Sequence, residues 1–372
     1  MINEIVINGY RGLDNFKIGG MTKFNLLVGP NNSGKSSLLE ALFMHFGPLN
    51  FRILFSILTF REGGFQTNPH YIVEQMKWFF TDPMNRKNFE ISIAGNWGKV
   101  KRKTTISLSK YLGYEDTSRQ LQQITNKVVP ISGKIEILEP GESKGITIGT
   151  FSFSFESNKH KRLEHKVEIN TEESLKLGPP PIETDVKAVF SDPFLHRRLG
   201  AGLEEYDKSV KSGHHTKCLK LLQEVDPDIT NVSILLAAGG IPQLYVDHKR
   251  TGLAPISTLG DGIRRIYLLA TQFVQCKGGV LLIDELEDSV HWLALNQFIN
   301  WIVDAANELN VQIFATTHSL ECIDAVLASK LSKSKELSLF KLKKQNGRIT
   351  CRKIRGDTLE TIRYEFGQDV RW

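Results

Sequence analysis

The stretch Gly29-Pro30-Asn31-Asn32-Ser33-Gly34-Lys35-Ser36 constrains this chain more than any other. It has the form GxxxxGK followed by Ser or Thr. The apolar run Phe24, Leu26, Leu27, Val28 leads into it, and Ser37 opens the run that leaves it. In the outgoing run Leu38, Leu39, Leu42, Phe43 and Phe46 keep to one face of a helix, which Gly47-Pro48 ends. Strand, Gly-rich loop, helix is the setting in which successive backbone N–H groups turn inward around phosphates, aided by the partial positive charge of the helix N-terminus. In that setting Gly29 and Gly34 supply the backbone freedom. Lys35 reaches the β- and γ-phosphates, and the Ser36 hydroxyl holds Mg²⁺.

Three later stretches have to agree with that loop. Val280-Leu281-Leu282-Ile283 is an apolar run ending in Asp284 and Glu285, as a strand buried in a parallel sheet ends at a ligand rim. Asp284 is the candidate for the Mg²⁺ shell, and Glu285 for accepting a proton from the water that attacks the γ-phosphate. Val311 to Thr316 is a second buried run, after which Thr317, His318 and Ser319 follow; His318 is a candidate γ-phosphate or water sensor. The third stretch, Ser257-Thr258-Leu259-Gly260-Asp261-Gly262 with Arg264-Arg265, precedes the apolar helix Ile266–Phe273 and bares N–H groups at a helix start. In isolation a glycine-rich turn before a helix says little. Arg11, between Tyr10 and Gly12, lies either beside a bound nucleotide or on an exposed turn, and spacing does not choose.

A chain of 372 residues exceeds one comfortable core, which predicts one large α/β domain with a smaller inserted or appended part. Residues 1–82 carry the phosphate loop and an apolar, partly helical stretch from Phe51. Residues 83–184 change to period-two alternation, as in Phe89 to Ile93, Lys134 to Leu138, Phe151 to Phe155 and His165 to Ile169. Pro179-Pro180-Pro181 marks a boundary. Residues 185–372 return to α/β patterning: Asp192–Leu222 reads as helical, and Glu336–Leu342 with Arg348–Ile354 reads as a hairpin around Asn346-Gly347.

With 24% charged and 41% apolar residues the chain is not disordered, and a net charge of +6 permits nucleic-acid contact without demanding it. The cluster Lys99, Lys101, Arg102, Lys103 and the pair Lys343, Lys344 read as solvated strand edges. Cys218, Cys276, Cys322 and Cys351 form no ligand pattern and read as reduced thiols of a cytoplasmic protein, while His214-His215 reads as part of a surface helix. No apolar run reaches the roughly 18 residues of a membrane span, and the start of the chain lacks a signal-peptide design.

The order GPNNSGKSS, STLGDGIRR, LLIDELEDSVH, FATTHS resembles the ABC-type ATPase heads of the structural-maintenance-of-chromosomes, RecF and OLD (overcoming lysogenization defect) group, and within it the OLD type. The resemblance covers residues 1–48 and about 185–372, including the ending Tyr364–Arg371. It implies an ABC-type P-loop head with a mixed or parallel sheet core, an antiparallel N-terminal β part and an inserted β-rich section. It also implies ATP as the nucleotide, with Gly29–Ser36 as Walker A, Ile283-Asp284-Glu285 as the end of Walker B and His318 as the switch histidine. Glu287–His291 takes the place of the D-loop, Arg11 that of a nucleotide-side arginine, and Gln66 or Gln75 that of a water-positioning glutamine. Leu259-Gly260-Asp261-Gly262 stands where LSGGQ is common, and Ser257 is the candidate to replace its serine. The signature of one subunit completes the site of another in this group, which implies a head-to-head dimer around two ATP. No acidic cluster for a Toprim nuclease follows, so the resemblance implies a separate, nuclease-like effector of the kind found in phage defence. The alternatives are a DNA-engaging chromosome-maintenance head, a transporter subunit and an ATP-binding scaffold with little turnover.

Overall fold

In the computed structural model three strands of the chain are buried along their whole length, and they form the middle of one sheet. The structure describes residues 1–62, 68–84, 89–109, 111–112, 146–159, 161–171, 179, 181–198, 200–331 and 334–371. The chain opens with β1 (Glu4–Asn8), β2 (Phe16–Gly19) and β3 (Phe24–Val28), then α1 (Lys35–Phe46), α2 (Phe51–Glu62) and α3 (Pro69–Lys77). Four strands follow: β4 (Phe89–Trp97), β5 (Val100–Ser109), β6 (Thr147–Ser157) and β7 (Leu163–Asn170). After β8 (Ala188–Ser191) come α4 (Leu203–Lys211), α5 (His215–Gln223), β9 (Ile229–Leu236), β10 (Pro242–His248) and β11 (Gly252–Pro255). The last third holds α6 (Asp261–Gln275), β12 (Val280–Ile283), α7 (Leu295–Leu309), β13 (Gln312–Thr316) and α8 (Leu320–Ala328). It ends with β14 (Leu337–Gln345), β15 (Arg348–Arg355) and α9 (Gly356–Glu360).

The fold is α/β with mixed sheets. One six-stranded sheet has the order β15-β14-β3-β13-β12-β8, parallel except for β15. Every residue of β3, β12 and β13 is buried, as expected of strands covered on both faces. The second sheet is antiparallel, β2-β1-β4-β5-β6-β7, so the strands of residues 89–170 extend the sheet that β1 and β2 begin. A small sheet, β11-β10-β9, precedes α6.

Two hydrophobic cores lie on the two faces of the mixed sheet. Leu26, Ile283 and Ala315 join the core built with α5 to α8, whereas Leu27, Leu282 and Phe314 join the core shared with α1 and the antiparallel sheet. This placement explains why α1 departs from the one-faced helix its apolar spacing predicts: Lys35, Glu40 and His45 are buried along with its leucines. A helix between two sheets has little solvent side to offer.

Two expectations are corrected here. Residues 192–222 are not one helical run. After a single 3-10 turn at Leu195–Arg197, the left-handed Gly202 (φ 83°) precedes α4, and Gly213 (φ 71°) separates it from α5. The basic cluster is not at a strand edge either, because β5 is paired on both sides. Lys99, Lys101 and Lys103 are exposed, but Arg102 is buried. Its Nη1 donates to Asp185 at 3.1 Å, and its guanidinium lies 5.2 Å from the Phe155 ring centroid. Local sequence shows the period of a strand but not its number of neighbours.

The four cysteines are free thiols, three of them buried, and His215 packs edge-on against Tyr206 at 5.0 Å. Among the described residues no helix is long and apolar enough to cross a membrane. The expected strand at 134–138 and Gln66 lie outside the described residues.

Candidate active site

Register sets the site. Ile283 pairs with Ala315 and with Ser191, and Ala315 pairs with Leu26, so the carboxyl ends of β8, β12, β13 and β3 come out along one rim. Asp284 and Gly29 follow directly from the ends of β12 and β3, and His318 stands two residues past the end of β13.

The loop after β3 is shaped by the hairpin β14–β15. Gly29 has φ 144°, and a Cβ built on it would stand 2.2 Å from the Leu342 carbonyl oxygen. Gly34 has φ 94°, and its Cβ would stand 2.4 Å from Ile349 Cδ1. Backbone bars a side chain at Gly29, and at Gly34 the positive φ disfavours one even where Ile349 can give way. Between them Pro30 is half-buried, Asn31 and Asn32 are exposed, and the Ser33 N–H closes the turn onto the Pro30 carbonyl at 3.2 Å. The Ser33 hydroxyl is buried without a hydrogen-bond partner among the described residues. Lys35 is 5% exposed and donates to the carbonyls of Gly29 at 2.9 Å and Pro30 at 3.1 Å. Burial lowers its pKa, and the carboxylates of Glu285, Asp284 and Glu287 oppose that shift.

Ser36, at the start of α1, donates to Asp284 Oδ1 at 3.1 Å; Thr316, at the end of β13, donates to the same oxygen at 2.7 Å. Burial raises the Asp284 pKa against these two hydrogen bonds. Glu285 follows in a left-handed conformation (φ 53°), a strained one for a non-glycine residue. Its N–H donates to Thr316 Oγ1 at 2.8 Å, while Arg265 donates to its carbonyl at 2.6 Å and to that of Asp284 at 3.3 Å. The Glu285 side chain, 34% exposed, lies 3.3 Å from His318 Nε2. Burial, then repulsion from Glu287 and Asp284, pushes its pKa up to about 7, with Lys35 opposing. Burial, then Lys35, lowers that of His318. Glu287 Oε1 accepts from the N–H groups of His318 and Ser319, both at 2.9 Å.

The donor set fits a triphosphate with a hard divalent cation. A hydroxyl and a carboxylate converge from Ser36 and Asp284, beside a glycine cradle that a Cβ would fill and an orphaned hydroxyl at Ser33. Ser37 is half-buried on α1 next to this pair.

The segment 257–262 is tied to these residues less directly. Ser257 is exposed on the short 3-10 turn Ile256–Leu259, and Leu259 packs on the core below it. Gly260 (φ 90°) is exposed with open space around it; Asp261 pairs with Arg197 at 2.9 Å and Arg264 at 3.2 Å; a Cβ on Gly262 would stand 3.2 Å from the Ser289 carbonyl. One helical turn on, the fully buried Arg265 carries the link to Asp284 and Glu285. Arg11 is not on an exposed turn. Its Nε lies 3.8 Å from Glu40 of α1, a buried carboxylate that also takes Arg61 through two hydrogen bonds (2.6 and 2.9 Å) and the Tyr10 hydroxyl at 2.6 Å. Gln75 sits on α3, which packs on β6 and β7. Sequence reasoning missed Glu40, Arg265, Thr316 and Arg371, whose partners are mostly far along the chain, and it placed Glu287 in the D-loop stretch without its hold on the His318 and Ser319 N–H groups.

Similarity to known proteins extends over most of the chain. The family model described as "AAA domain, putative AbiEii toxin, Type IV TA system" matches residues 24–324. A Helicobacter pylori protein named ATP/GTP phosphatase is 23% identical over 393 aligned positions, covering 97% of each chain. An uncharacterized Methanocaldococcus jannaschii protein is 27% identical over 113, covering 30% of this chain and 99% of its own. Solved structures that align include an Smc head bound to the C-winged helix domain of ScpA, at 12% identity and TM-score 0.47, covering 95% of this chain and 97% of that one. The head domain of Thermotoga maritima SMC aligns at 11% identity and TM-score 0.40, covering 95% and 98%. With most of its length matched, from β3 through α8, the chain belongs to the AAA_21 family of P-loop ATPases.

Proposed function

We propose that this ATPase is an OLD-type switch that closes around ATP and Mg²⁺ as a head-to-head dimer and is read in that form by an effector of nuclease-like type in anti-phage defence. Residues 1–82 and 185–372 make up the head in this proposal, with 83–184 inserted. The observation that carries it is the convergence of three separated stretches on one rim: Ser36 bonded to Asp284, Glu285 beside His318, and Lys35 in the field of both acids.

The N–H groups of the Gly29–Ser36 loop and Lys35 bind the β- and γ-phosphates. Ser36 and Asp284 would hold Mg²⁺, which when bound neutralises charge on the phosphate oxygens. Glu285 takes the proton of the attacking water, and His318 orients that water or the γ-phosphate. Support for the dimer comes from the exposed Ser257 and Gly260 at the start of α6, and from Trp292 and Leu293, which stand exposed just after the 287–291 segment.

Mass measured by light scattering tests assembly: with ATP and Mg²⁺ it should approach twice the nucleotide-free value. A mass that ATP leaves unchanged over a wide protein concentration range removes the dimer. A second measurement concerns Glu285. A carboxylic acid with a raised pKa is protonated, and useless as a base, below that value. The kcat/KM for ATP, which reports the free protein, should therefore rise with pH through about 7 and level off above it. A profile flat between about pH 6 and 8 assigns the base elsewhere.

A further inference from the structure

We infer that Arg371 is a positioning residue for His318: it clamps the His318 peptide from the side opposite Glu287 and so fixes the imidazole against Glu285. The inference rests on the proposed catalytic reading of Glu285 and His318.

The peptide group between His318 and Ser319 is held on both sides. Its N–H, that of Ser319, donates to Glu287 Oε1 at 2.9 Å, its carbonyl, that of His318, accepts from Arg371 Nη1 at 3.0 Å, and the His318 N–H donates to Glu287 Oε1 as well, at 2.9 Å. The guanidinium is itself aimed by a fork of hydrogen bonds onto Asp369, with Nη2 at 2.6 Å and Nε at 3.0 Å, and the Arg371 N–H also donates to Asp369 at 2.9 Å. A guanidinium bound along one edge to a carboxylate keeps its remaining N–H directions fixed. The segment carrying it is anchored too. Val370 is 3% exposed in the core, the Gln368 N–H bonds the Ile362 carbonyl at 3.2 Å, and Arg363 binds Asp324 of α8 through two hydrogen bonds at 2.7 and 2.8 Å. Since α8 begins two residues after His318, the segment 363–371 spans from that helix back to the peptide that precedes it. The Thr317–Ser319 segment has no regular element of its own; besides the Ser319 N–H bond to Thr317 Oγ1 at 3.0 Å it is held by these outside contacts, and a displacement of about 1 Å at a water-orienting group is enough to cost a large factor in rate.

The test compares the wild-type chain with Arg371→Ala and Arg371→Lys, measuring kcat and KM for ATP with Mg²⁺, with thermal melting to check folding. Arg371→Ala should lower kcat about tenfold while KM stays within about twofold, because the phosphate loop is untouched. Arg371→Lys, which still donates to one carbonyl, should recover most of the loss. A kcat retained in Arg371→Ala overturns the inference. So does a parallel loss of kcat, KM and melting temperature that Arg371→Lys does not repair, since that pattern belongs to a structural strut. His318→Ala in the same assay separates the two levels: if it hydrolyses ATP like wild type, the catalytic reading of His318 fails first.

Discussion

Replacing Glu285 by Gln should reduce ATP hydrolysis by about 10²- to 10³-fold while leaving nucleotide binding intact. The amide keeps the shape and cannot take a proton from water. The Glu285 backbone should be undisturbed, because its left-handed turn is held by Thr316 and Arg265 through main-chain groups alone. Lys35 and the glycine loop retain every contact that recognises phosphates. Phosphate release in steady state reads the loss, and equilibrium binding of labelled ATP reads what remains. Under the switch proposal the variant should also accumulate the ATP-bound dimer, since closure persists when hydrolysis stops. Equal, slow turnover by wild type and variant would shift the case toward an ATP-binding scaffold.

The second large effect is expected at Gly29. Alanine there must adopt a backbone angle of 144° and bring its Cβ to 2.2 Å from the Leu342 carbonyl oxygen, a contact that backbone on both sides prevents from relaxing. Strain and overpacking together should cost about 3 kcal/mol of stability, and the displaced loop should lose ATP affinity. Gly98→Ala is the control. Its φ is also positive, at 58°, but nothing lies within 4 Å of the added carbon, so it should cost only about 1 kcal/mol and leave binding alone. Urea unfolding of both variants measures the difference. A Gly29→Ala chain as stable as Gly98→Ala would mean that β14 does not press on the loop.

How much of this was legible in the sequence differs by element. The runs 24–28, 280–283 and 312–316 are mostly apolar without strict alternation because both sheet faces are covered, and polar or turn residues follow each where the rim lies. The rim itself could be assembled from those endings. Period two gave away β4 to β7, yet nothing local tells that β4 pairs with β1 some 85 residues earlier, as Ile7 does with Ile93. The same blindness to neighbours produced the misplacement of Arg102. Arg265, Arg371 and the hold of Glu287 escaped for a different reason. Each works on a backbone carbonyl or N–H, and main-chain partners leave no trace in side-chain identity. Glu40 looked like one more polar residue of an amphipathic helix, because the second sheet that covers it comes from strands still to be placed.

The pairing of β3 bears on how the chain is born. Its two sheet neighbours, β13 and β14, lie between residues 312 and 345, and the hairpin arm that shapes both glycines ends at Arg355. A growing polypeptide that has left the ribosome only as far as residue 300 therefore carries the phosphate motif as a bare, unflanked segment. Capture of nucleotide waits until the residues through Arg355 have emerged and docked beside β3.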